Sequence, residues 1–324
     1  MRVLFVVRPD LFTVKAGDTV QVLILKKALE KLGLRVDLNI NKVSLDDLHN
    51  YDLIHLFNLL RVEVCERFLS NINVNKPVLL TPIYWNMEEY LKHSKPDLLY
   101  WWKLTQKRRM EVLTKVDMVA PNAHTEWDRI KYDFRIEKPC EIIYNGVVPW
   151  KENIENSQRE YILCVGRIHP RKNQLQLIKA LKEFNLPLVL IGDINDPAYF
   201  RECLRESEGY NVTIYGAKSR EELFQFYLKS KIHVLPSWYE TPGLVNLEAA
   251  LAGCNIVTTD RGTTREYFKN KVSYCSPLDI KDIADKVVTA YYTEPDPELS
   301  QYVKTKYNHN SVAYKTMEVY KKLI

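Results

Sequence analysis

Several signals that would classify a protein at once are missing from this sequence. No run approaches the roughly 20 apolar residues that a membrane-spanning helix requires. The N-terminal stretch MRVLFVVRPD is apolar too briefly for a signal peptide and predicts a first strand. The six cysteines form no C-x-x-C pair, and several lie in apolar runs, which predicts reduced core residues. We therefore expect a cytoplasmic protein that touches a membrane at its periphery or not at all.

The sequence also lacks the motifs of a metal site and of a dinucleotide-binding site. The seven histidines show no H-E-x-x-H or other metal-ligand spacing, so we predict no protein-bound metal and no other cofactor. The segments VVRPDLF and CVGRIHP lack G-x-G-x-x-G, which argues against a dehydrogenase. The net charge of +5 is small for 324 residues, so it favours anionic partners only weakly, and nucleic acid is not the expected ligand.

The pattern that is present predicts an α/β protein with two domains. Hydrophobic residues make up 46% and charged residues 27% of the chain, a globular composition. Strand-like runs alternate with helical patterns in two series, one starting at VLFVV and one at YILCVGR, which indicates two parallel sheets.

The polar stretch between the two series predicts a linker. We place an N-terminal Rossmann-like domain at residues 1–148, the linker at 149–158 and a C-terminal Rossmann-like domain at 159–324. SVAYKTMEVYKKLI predicts a terminal helix in the second domain. Ligands of doubly wound sheets bind beyond the carboxyl ends of the strands, so we expect the two domains to face each other across a cleft.

The most informative stretch, IHVLPSWYETPGLVNLEAALAGCNIVTT, predicts a strand, a loop, a helix opening near Gly243 and another strand. Glu240 falls in the loop and Glu248 inside the helix, so the two are not an adjacent acid/base pair. The amides of Gly243, Leu244 and Val245 at the helix start suit phosphate or sugar oxygens, and carboxylates suit sugar hydroxyls. The alternative is that Glu240 is a solvated loop residue and Glu248 a charge on the helix surface.

The sequence ETPGLVNLEAALAGC resembles the E-x7-E signature of retaining glycosyltransferases of family four, which have the two-domain GT-B fold. The resemblance implies a hexosyltransferase-type enzyme that moves a sugar from a UDP-, GDP- or ADP-sugar to an acceptor hydroxyl with retention of configuration. Glu240 would orient the donor sugar, Glu248 would bind the ribose, and Thr241 and Pro242 would bind the donor between them. The resemblance thus implies that the second domain binds the donor and that the first is the acceptor-side domain. A polysaccharide or lipid-linked glycan is the expected acceptor.

Further elements of the same family occur in order. CVGRIHPRKNQL resembles the G-R-x-x-x-x-K-N element, which implies that Arg167 and Lys172 contact the donor diphosphate and stabilise charge as it leaves. TIYGAKSREELFQFY resembles the segment around the nucleotide base, where Gly216, Ala217 and Lys218 would lie. KAGDTVQ resembles the Gly-rich loop of the first domain, and Gly17 would lie there near the donor.

One departure concerns a histidine that many family members carry after the fourth strand. This chain has PVLLTPIYWNMEEY there, and alignment leaves Pro82, Ile83 or Tyr84 opposite the histidine. Tyr84 could donate a hydrogen bond but could not act as a base near neutral pH. The departure motivates a rival from another class, a noncatalytic nucleotide-sugar or nucleic-acid binding protein on the same scaffold.

The segment LLYWWKLTQKRRMEVL mixes aromatic and basic residues. Such a mixture is typical of an interfacial membrane helix, an acceptor groove or a nucleic-acid surface. The alternative is a packed helix with its tryptophans inward and a solvated basic face. The residues in question on this acceptor or membrane side are Trp101, Trp102, Arg108 and Arg109.

Overall fold

The computed structural model describes residues 1–14, 16–39, 46–70, 76–151 and 158–324. The chain divides into two compact units. Unit 1 contains Met1–Gly146 together with Tyr307–Ile324, and unit 2 contains Val147–Lys306.

Unit 1 is built on a parallel sheet of five strands in the order β2-β1-β3-β4-β5. Its central strand, LIHLF, is buried at every position, because helices cover both faces of such a sheet. The strand order reverses between β1 and β3. The strands are β1 (Arg2–Val6), β2 (Arg35–Leu38), β3 (Leu53–Phe57), β4 (Val78–Thr81) and β5 (Met118–Val119).

Five helices of unit 1 lie between or after its strands, with two of them between β4 and β5, and a sixth comes from the last residues of the chain. They are α1 (Gly17–Lys31), α2 (Val62–Ser70), α3 (Glu88–Ser94), α4 (Leu99–Lys115), α5 (His124–Phe134) and α13 (His309–Leu323). Short 3-10 turns occupy Asp46–Asn50, Leu59–Arg61 and Pro96–Leu98.

Unit 2 is built on a parallel sheet of six strands in the order β11-β10-β9-β6-β7-β8. This is the order of a Rossmann fold, with its reversal between β6 and β9. The strands are β6 (Tyr161–Val165), β7 (Leu188–Ile191), β8 (Val212–Tyr215), β9 (Ser230–Leu235), β10 (Asn255–Thr259) and β11 (Ser273–Cys275). β6 and β9 contribute Ile162, Cys164, Ile232 and Val234 to the hydrophobic core.

Seven helices are described in unit 2. They are α6 (Gln174–Leu181), α7 (Pro197–Ser207), α8 (Arg220–Lys229), α9 (Leu244–Leu251), α10 (Thr264–Phe268), α11 (Ile280–Tyr292) and α12 (Pro297–Lys306). Short 3-10 turns occupy Pro170–Lys172 and Lys182–Phe184. Both units thus have the doubly wound α/β architecture that the alternating sequence pattern predicts.

The terminal helix forms as predicted, but its assignment to the second domain is wrong. α13 packs in unit 1, where Ala313, Val319 and Tyr320 join the hydrophobic core. The Tyr320 hydroxyl also lies 2.8 Å from Nδ1 of His55 on β3. The apolar face of α13 therefore has its burial partner in the first sheet, a fact that no local pattern reveals.

The structure places the division between the units at Gly146 and Val147, two residues before the predicted linker of 149–158. Residues 152–157 of that linker lie outside the described residues. Trp150, also in the predicted linker, packs in unit 2 with its ring centroid 4.8 Å from that of Phe224.

Two further expectations concern the whole chain. All six cysteines are free; five of them are buried, as predicted for core residues, and Cys140 is half-buried. No helix in the described ranges is long and apolar enough to cross a membrane.

Candidate functional site

The strand reversal in unit 2 identifies where a ligand site can form. The loops after β6 and β9 diverge at such a reversal, leaving a crevice beyond the carboxyl ends of the strands. Here the pairing of β6 with β9 ends at Leu163 and His233. The two loops that follow contain Gly166 to Lys172 and Pro236 to Glu240, which are the segments that the family motifs single out.

His233 holds the diverging strands together. Its Nε2 accepts a hydrogen bond from the backbone N–H of Val165 at 3.2 Å, so Nδ1 carries the proton and donates to Oδ1 of Asn246 at 2.9 Å. Full burial lowers the pKa of His233 to about 3, which keeps the imidazole neutral. The Asn246 amide in turn donates to Oγ1 of Thr258 at 3.0 Å. β6, β9, β10 and the start of α9 are thereby fixed relative to one another.

Asn173 ties a second pair of loops. It adopts a left-handed conformation with φ of 62°, and its amide donates to the carbonyls of Pro236 and Pro277 at 3.0 and 2.9 Å. Asparagine tolerates this conformation better than most residues. The asparagine of the K-N motif therefore shapes the crevice, a role that its motif position alone does not indicate.

Lys172 and Glu240 form an ion pair at the crevice through Nζ and Oε1. The Lys172 side chain is 23% exposed, whereas that of Glu240 is only 6% exposed. Glu240 is therefore not a solvated loop residue. The pair leaves the ammonium group within reach of solvent while its carboxylate partner is held beneath.

The loop after β10 contacts the backbone of Glu240. The Thr263 N–H donates to the Glu240 carbonyl at 3.0 Å, and Gly262 has a φ of +93°. A Cβ on Gly262 would lie 2.2 Å from that carbonyl oxygen, so only glycine fits. The segment DRGTTREYF thus fixes the backbone of Glu240.

α9 begins beside the ion pair, as the sequence predicts. Gly243 is its N-cap, with a φ of 82°, and a Cβ there would lie 3.1 Å from Oε2 of Glu240. Gly253, just past its end, has a φ of +80°, which is typical of a glycine that terminates a helix. The first N–H groups of a helix generally lack acceptors within the helix, and α9 begins four residues after Glu240.

Glu248 lies in a second cluster, made by α8, α9 and Trp150. Oε1 of Glu248 is 3.7 Å from Nε of Arg220, whose guanidinium stacks at 3.9 Å on the Trp150 ring. The indole N–H of Trp150 donates to the Glu248 carbonyl at 3.0 Å. Burial raises the pKa of Glu248 to about 7, against the opposing effects of Arg220 and the Tyr227 hydroxyl. Glu248 is therefore not a charge on a solvated helix surface.

The sequence reasoning missed four residues of these clusters: Trp150, Arg220, His233 and Asn246. Arg220 directly follows Ser219, which caps α8 in a capping box with Glu222, so its place in the first turn was readable. Asn246 stands inside the E-x7-E motif, one helical turn after Gly243. Nothing in the sequence around Trp150 indicates its packing.

The other predicted donor residues are distributed over both units. Arg167 follows β6, is half-buried and accepts at its carbonyl from the Gln174 amide at 2.8 Å. Thr241 is half-buried and Pro242 is buried, and the bond between them is cis. Leu244 and Val245 form the half-buried first turn of α9.

Gly216, Ala217 and Lys218 follow the edge strand β8, two residues from Arg220. Gly216 and Ala217 are exposed, and Nζ of Lys218 lies 3.3 Å from Oε1 of Glu222. Gly17 is the first residue of α1 in unit 1, where a Cβ would meet no atom within 4 Å. A larger side chain at position 17 would therefore fit within unit 1 without a steric clash.

Unit 1 has its own polar cluster at the reversal between β1 and β3. Arg8 is 5% exposed and pairs with Asp18 at the start of α1, 3.0 Å from Nε to Oδ2. Asn58, just after β3, donates to the same carboxylate at 2.9 Å. The loop that enters α1 is thus anchored by charged hydrogen bonds that the motif comparison did not include.

The structure does not support Tyr84 as a hydrogen-bond donor to a substrate. Tyr84 is fully buried, and its hydroxyl donates to Oδ2 of Asp133 at 2.7 Å. Its backbone N–H donates to the buried carboxylate of Glu126 at 2.6 Å. Ile83, half-buried beside it, has a φ of 46°, which is rare for a β-branched residue. Tyr84 is a core residue that supports this turn.

The aromatic and basic residues of α4 are divided between its buried side and its exposed side. On α4, Trp102 and Arg109 are buried, with the Arg109 guanidinium 4.0 Å from the centre of the Trp102 ring. Trp101 is 47% exposed, and Arg108 pairs with Glu66, 2.9 Å from Nε to Oε2. The alternative of inward tryptophans and a solvated basic face is therefore correct for Trp102 and wrong for Trp101 and Arg109.

Within the part of the chain that the structure describes, no group of three or more His, Cys, Asp or Glu side chains could hold a metal ion. The charged groups described there are instead the ammonium of Lys172, the guanidinium groups of Arg167 and Arg220, and the carboxylates of Glu240 and Glu248. Together with a helix start, this is chemistry for an anion that also carries hydroxyl groups.

Comparison with solved structures identifies the fold of the chain. Two Rossmann-like units with a site at the reversal of the second sheet define the GT-B class, and solved structures share it over the whole chain. Sucrose-phosphate synthase from Thermosynechococcus elongatus superimposes with a TM-score of 0.82 and 18% identity, covering 99% of this chain and 98% of that one. A structure of trehalose-6-phosphate from E. coli bound with UDP-2-fluoro glucose superimposes with a TM-score of 0.73 and 12% identity, covering 100% of both chains.

The family described as Glycosyl transferases group 1 matches residues 150–308, which is nearly all of unit 2. An uncharacterized glycosyltransferase of Methanocaldococcus jannaschii is 28% identical over 214 residues, 57% of this chain. This chain spans about half the length of that relative, 54%. The solved structures show the GT-B fold for this chain, and unit 2 is similar to the group 1 glycosyltransferases.

Proposed function

We propose that this protein transfers a sugar from a nucleoside diphosphate sugar to an acceptor hydroxyl, with retention of configuration. The observation that carries the proposal is the Lys172–Glu240 ion pair beside the first turn of α9, at the strand reversal of unit 2. A cation at a helix start favours the diphosphate, and the carboxylates favour the sugar and ribose hydroxyls. A polysaccharide or lipid-linked glycan is the acceptor class that the family resemblance favours.

In this proposal each charged group has a separate task. Lys172, with Arg167 from the same loop, contacts the diphosphate, and the N–H groups at the start of α9 add further donors. Glu240 orients the donor sugar and keeps Lys172 in place. Glu248 accepts hydrogen bonds from the ribose, in an orientation that Arg220 and Trp150 fix.

The chemistry follows from these positions. The bond between the anomeric carbon and the β-phosphate oxygen breaks, and its electron pair stays on the diphosphate. Lys172 and Arg167 stabilise the negative charge that develops there. The acceptor oxygen bonds to the anomeric carbon, and its proton leaves with the diphosphate or to solvent. No metal ion is required for this division of tasks, and we propose none.

Replacing Lys172 tests the proposal directly. We expect Lys172→Ala to lower kcat by about 10² to 10³, the usual effect of losing one preorganised donor to a developing anion. Lys179→Ala is the matched control, because Lys179 lies on α6, is also half-buried and makes none of the contacts described above. The readout is release of nucleoside diphosphate with a panel of UDP-, GDP- and ADP-sugars, beside a thermal melt of each variant.

Two outcomes would contradict the proposal. One is a Lys172→Ala protein that stays folded and transfers sugar at the wild-type rate. The other is donor binding without transfer or hydrolysis on any acceptor tried, which would favour a noncatalytic binding protein. Retention is tested separately, by the anomeric configuration of the product in an NMR spectrum taken early in the reaction.

A further inference from the structure

Helix α4 has two apolar faces, although only one of them packs in unit 1. The inward face contributes Trp102, Val112 and Leu113, which are at most 1% exposed. The outward face presents bulky side chains to solvent. This outer patch consists of four residues, with exposures of 46% for Leu98, 73% for Tyr100, 47% for Trp101 and 56% for Leu104.

The outer patch is contiguous. Leu98 ends the 3-10 turn that leads into α4, and Tyr100 and Trp101 follow in the first turn. Leu104 lies four residues after Tyr100 and three after Trp101, so these three share one face of the helix. Single exposed apolar residues are ordinary, but three on one helix face with a fourth in the turn before it mark an interaction surface.

Basic residues surround this patch. Lys103 and Lys107 are exposed on α4, and neither is among the ion pairs that the structure shows in the described ranges. Residues 92 to 115 contain seven Lys and Arg and two Asp and Glu, an excess of +5. The whole chain also has a net charge of +5, so the remaining residues sum to zero. Of these cations, Arg109 is buried, and Arg108 and Lys92 pair with Glu66 and Glu88, so the positive charge beside the outer patch on α4 comes from Lys103 and Lys107.

We infer that the outer patch of α4 binds the surface of an anionic lipid bilayer. Trp and Tyr prefer the headgroup region, Leu inserts below it, and lysines pair with anionic lipids. A single nucleic-acid strand fits less well, because Leu98 and Leu104 offer no stacking plane. A second copy of this chain fits less well too, because its own basic residues would face those of the first.

Vesicle binding by the full-length protein tests this inference. The probes are vesicles of phosphatidylcholine alone and vesicles with about 30% phosphatidylglycerol, a strongly anionic surface. We expect sedimentation with the anionic vesicles, reduced by high salt, and little with neutral ones. The double variant Trp101→Ser/Leu104→Ser should bind about tenfold more weakly or worse, because it removes both insertion and anchoring.

Matched variants separate the contributions. Lys103→Glu/Lys107→Glu should lose binding by about tenfold or more, since each cation adds to attraction by an anionic surface. Tyr292→Ser is the control: Tyr292 is 70% exposed on α11 of unit 2, and its loss should leave vesicle binding unchanged. All replaced side chains are exposed, and a thermal melt checks that each variant is folded.

Three results would overturn the inference: undiminished vesicle binding by Trp101→Ser/Leu104→Ser, equal binding to neutral and anionic vesicles, or a patch-dependent dimer in sedimentation analysis. Patch-dependent binding of single-stranded DNA with no vesicle binding would also overturn it and identify a nucleic-acid surface. The assay contains neither donor nor acceptor, and Lys172→Ala should bind vesicles normally. Failure here would therefore leave the proposed sugar transfer untouched, and the reverse also holds.

Discussion

Glu248 lies in a cluster whose residues come from three segments of the chain. α9 supplies the carboxylate, α8 supplies Arg220, and Trp150 stacks on that guanidinium at 3.9 Å. Burial disfavours the charged carboxylate, whereas Arg220 favours it, and the balance raises the pKa to about 7. A carboxyl group with this pKa changes its charge near neutral pH, so its proposed ribose contact should depend on pH.

Nucleotide binding should therefore weaken as the pH falls through about 7. Below that value the protonated carboxyl accepts fewer hydrogen bonds, and affinity should fall by up to about tenfold per pH unit. Glu248→Gln should bind more weakly at pH 8 and show a flatter profile between pH 6 and 8. Calorimetric titration with the nucleoside diphosphate measures both profiles.

The same group predicts how stability depends on pH. A carboxyl whose folded pKa is raised from 4.5 stabilises the fold while it is protonated, fully below 4.5, and loses that contribution as the pH rises through about 7. Wild type should therefore lose unfolding free energy relative to Glu248→Gln between pH 5 and 8. Parallel nucleotide-binding profiles for the two proteins would refute the assigned role of Glu248.

At the scale of elements, the loop after β10 and the loop after β9 approach so closely that one position allows only glycine. Gly262 has a φ of +93°, and a Cβ there would lie 2.2 Å from the Glu240 carbonyl oxygen. Any side chain must push the backbone of Glu240 away. The position of the carboxylate that pairs with Lys172 thus depends on a neighbouring loop.

Gly262→Ala should consequently disturb both stability and transfer. Gly209→Ala is the matched control, because Gly209 has a φ of +79° but no atom within 4 Å of a Cβ. The control should lose about 1 to 2 kcal/mol for the left-handed conformation alone. Gly262→Ala should lose about 1 to 3 kcal/mol more through overpacking, and its kcat should fall as well. Chemical denaturation and the transfer assay decide this, and equal losses in the two variants would argue against a tight contact.

Much of the element structure could be predicted from the sequence. The alternation of strands and helices and the start of α9 near Gly243 follow from local patterns and agree with the structure. The His233–Asn246 connection could not be predicted, because its partners are 13 residues apart and meet only after β9 and α9 pack. The burial of Tyr84 could not be predicted for a similar reason, because the Asp133 carboxylate that accepts its hydrogen bond lies 49 residues away.

At the scale of the whole molecule, the chain returns to its first unit at its end. α13 packs on the unit 1 core, and Tyr320 is fully buried there against His55. Residues of unit 1 therefore both precede and follow unit 2 in the sequence. The fold of unit 1 should depend on its last 18 residues, Tyr307–Ile324.

Tyr320→Ala should lower the unfolding free energy of unit 1 by about 3 to 5 kcal/mol, as for other large buried side chains. Tyr314→Ala, on the same helix and 55% exposed, should change it by less than about 0.5 kcal/mol. Thermal denaturation followed by calorimetry measures both. Equal effects of the two substitutions would mean that α13 does not pack as described.

The sequence by itself determined the α/β class, the two series of strands and helices, and the segments after β6 and β9 that form the crevice. These depend on periodicity and on short motifs, which are local properties of the chain. The tertiary structure alone decided which side chains meet: Arg220 and Trp150 at Glu248, Gly262 at Glu240, and α13 on unit 1 rather than unit 2. It also decided that Trp101 faces outward while Arg109 is buried. These outcomes depend on contacts between distant segments, and burial acts on such contacts only once the chain has folded.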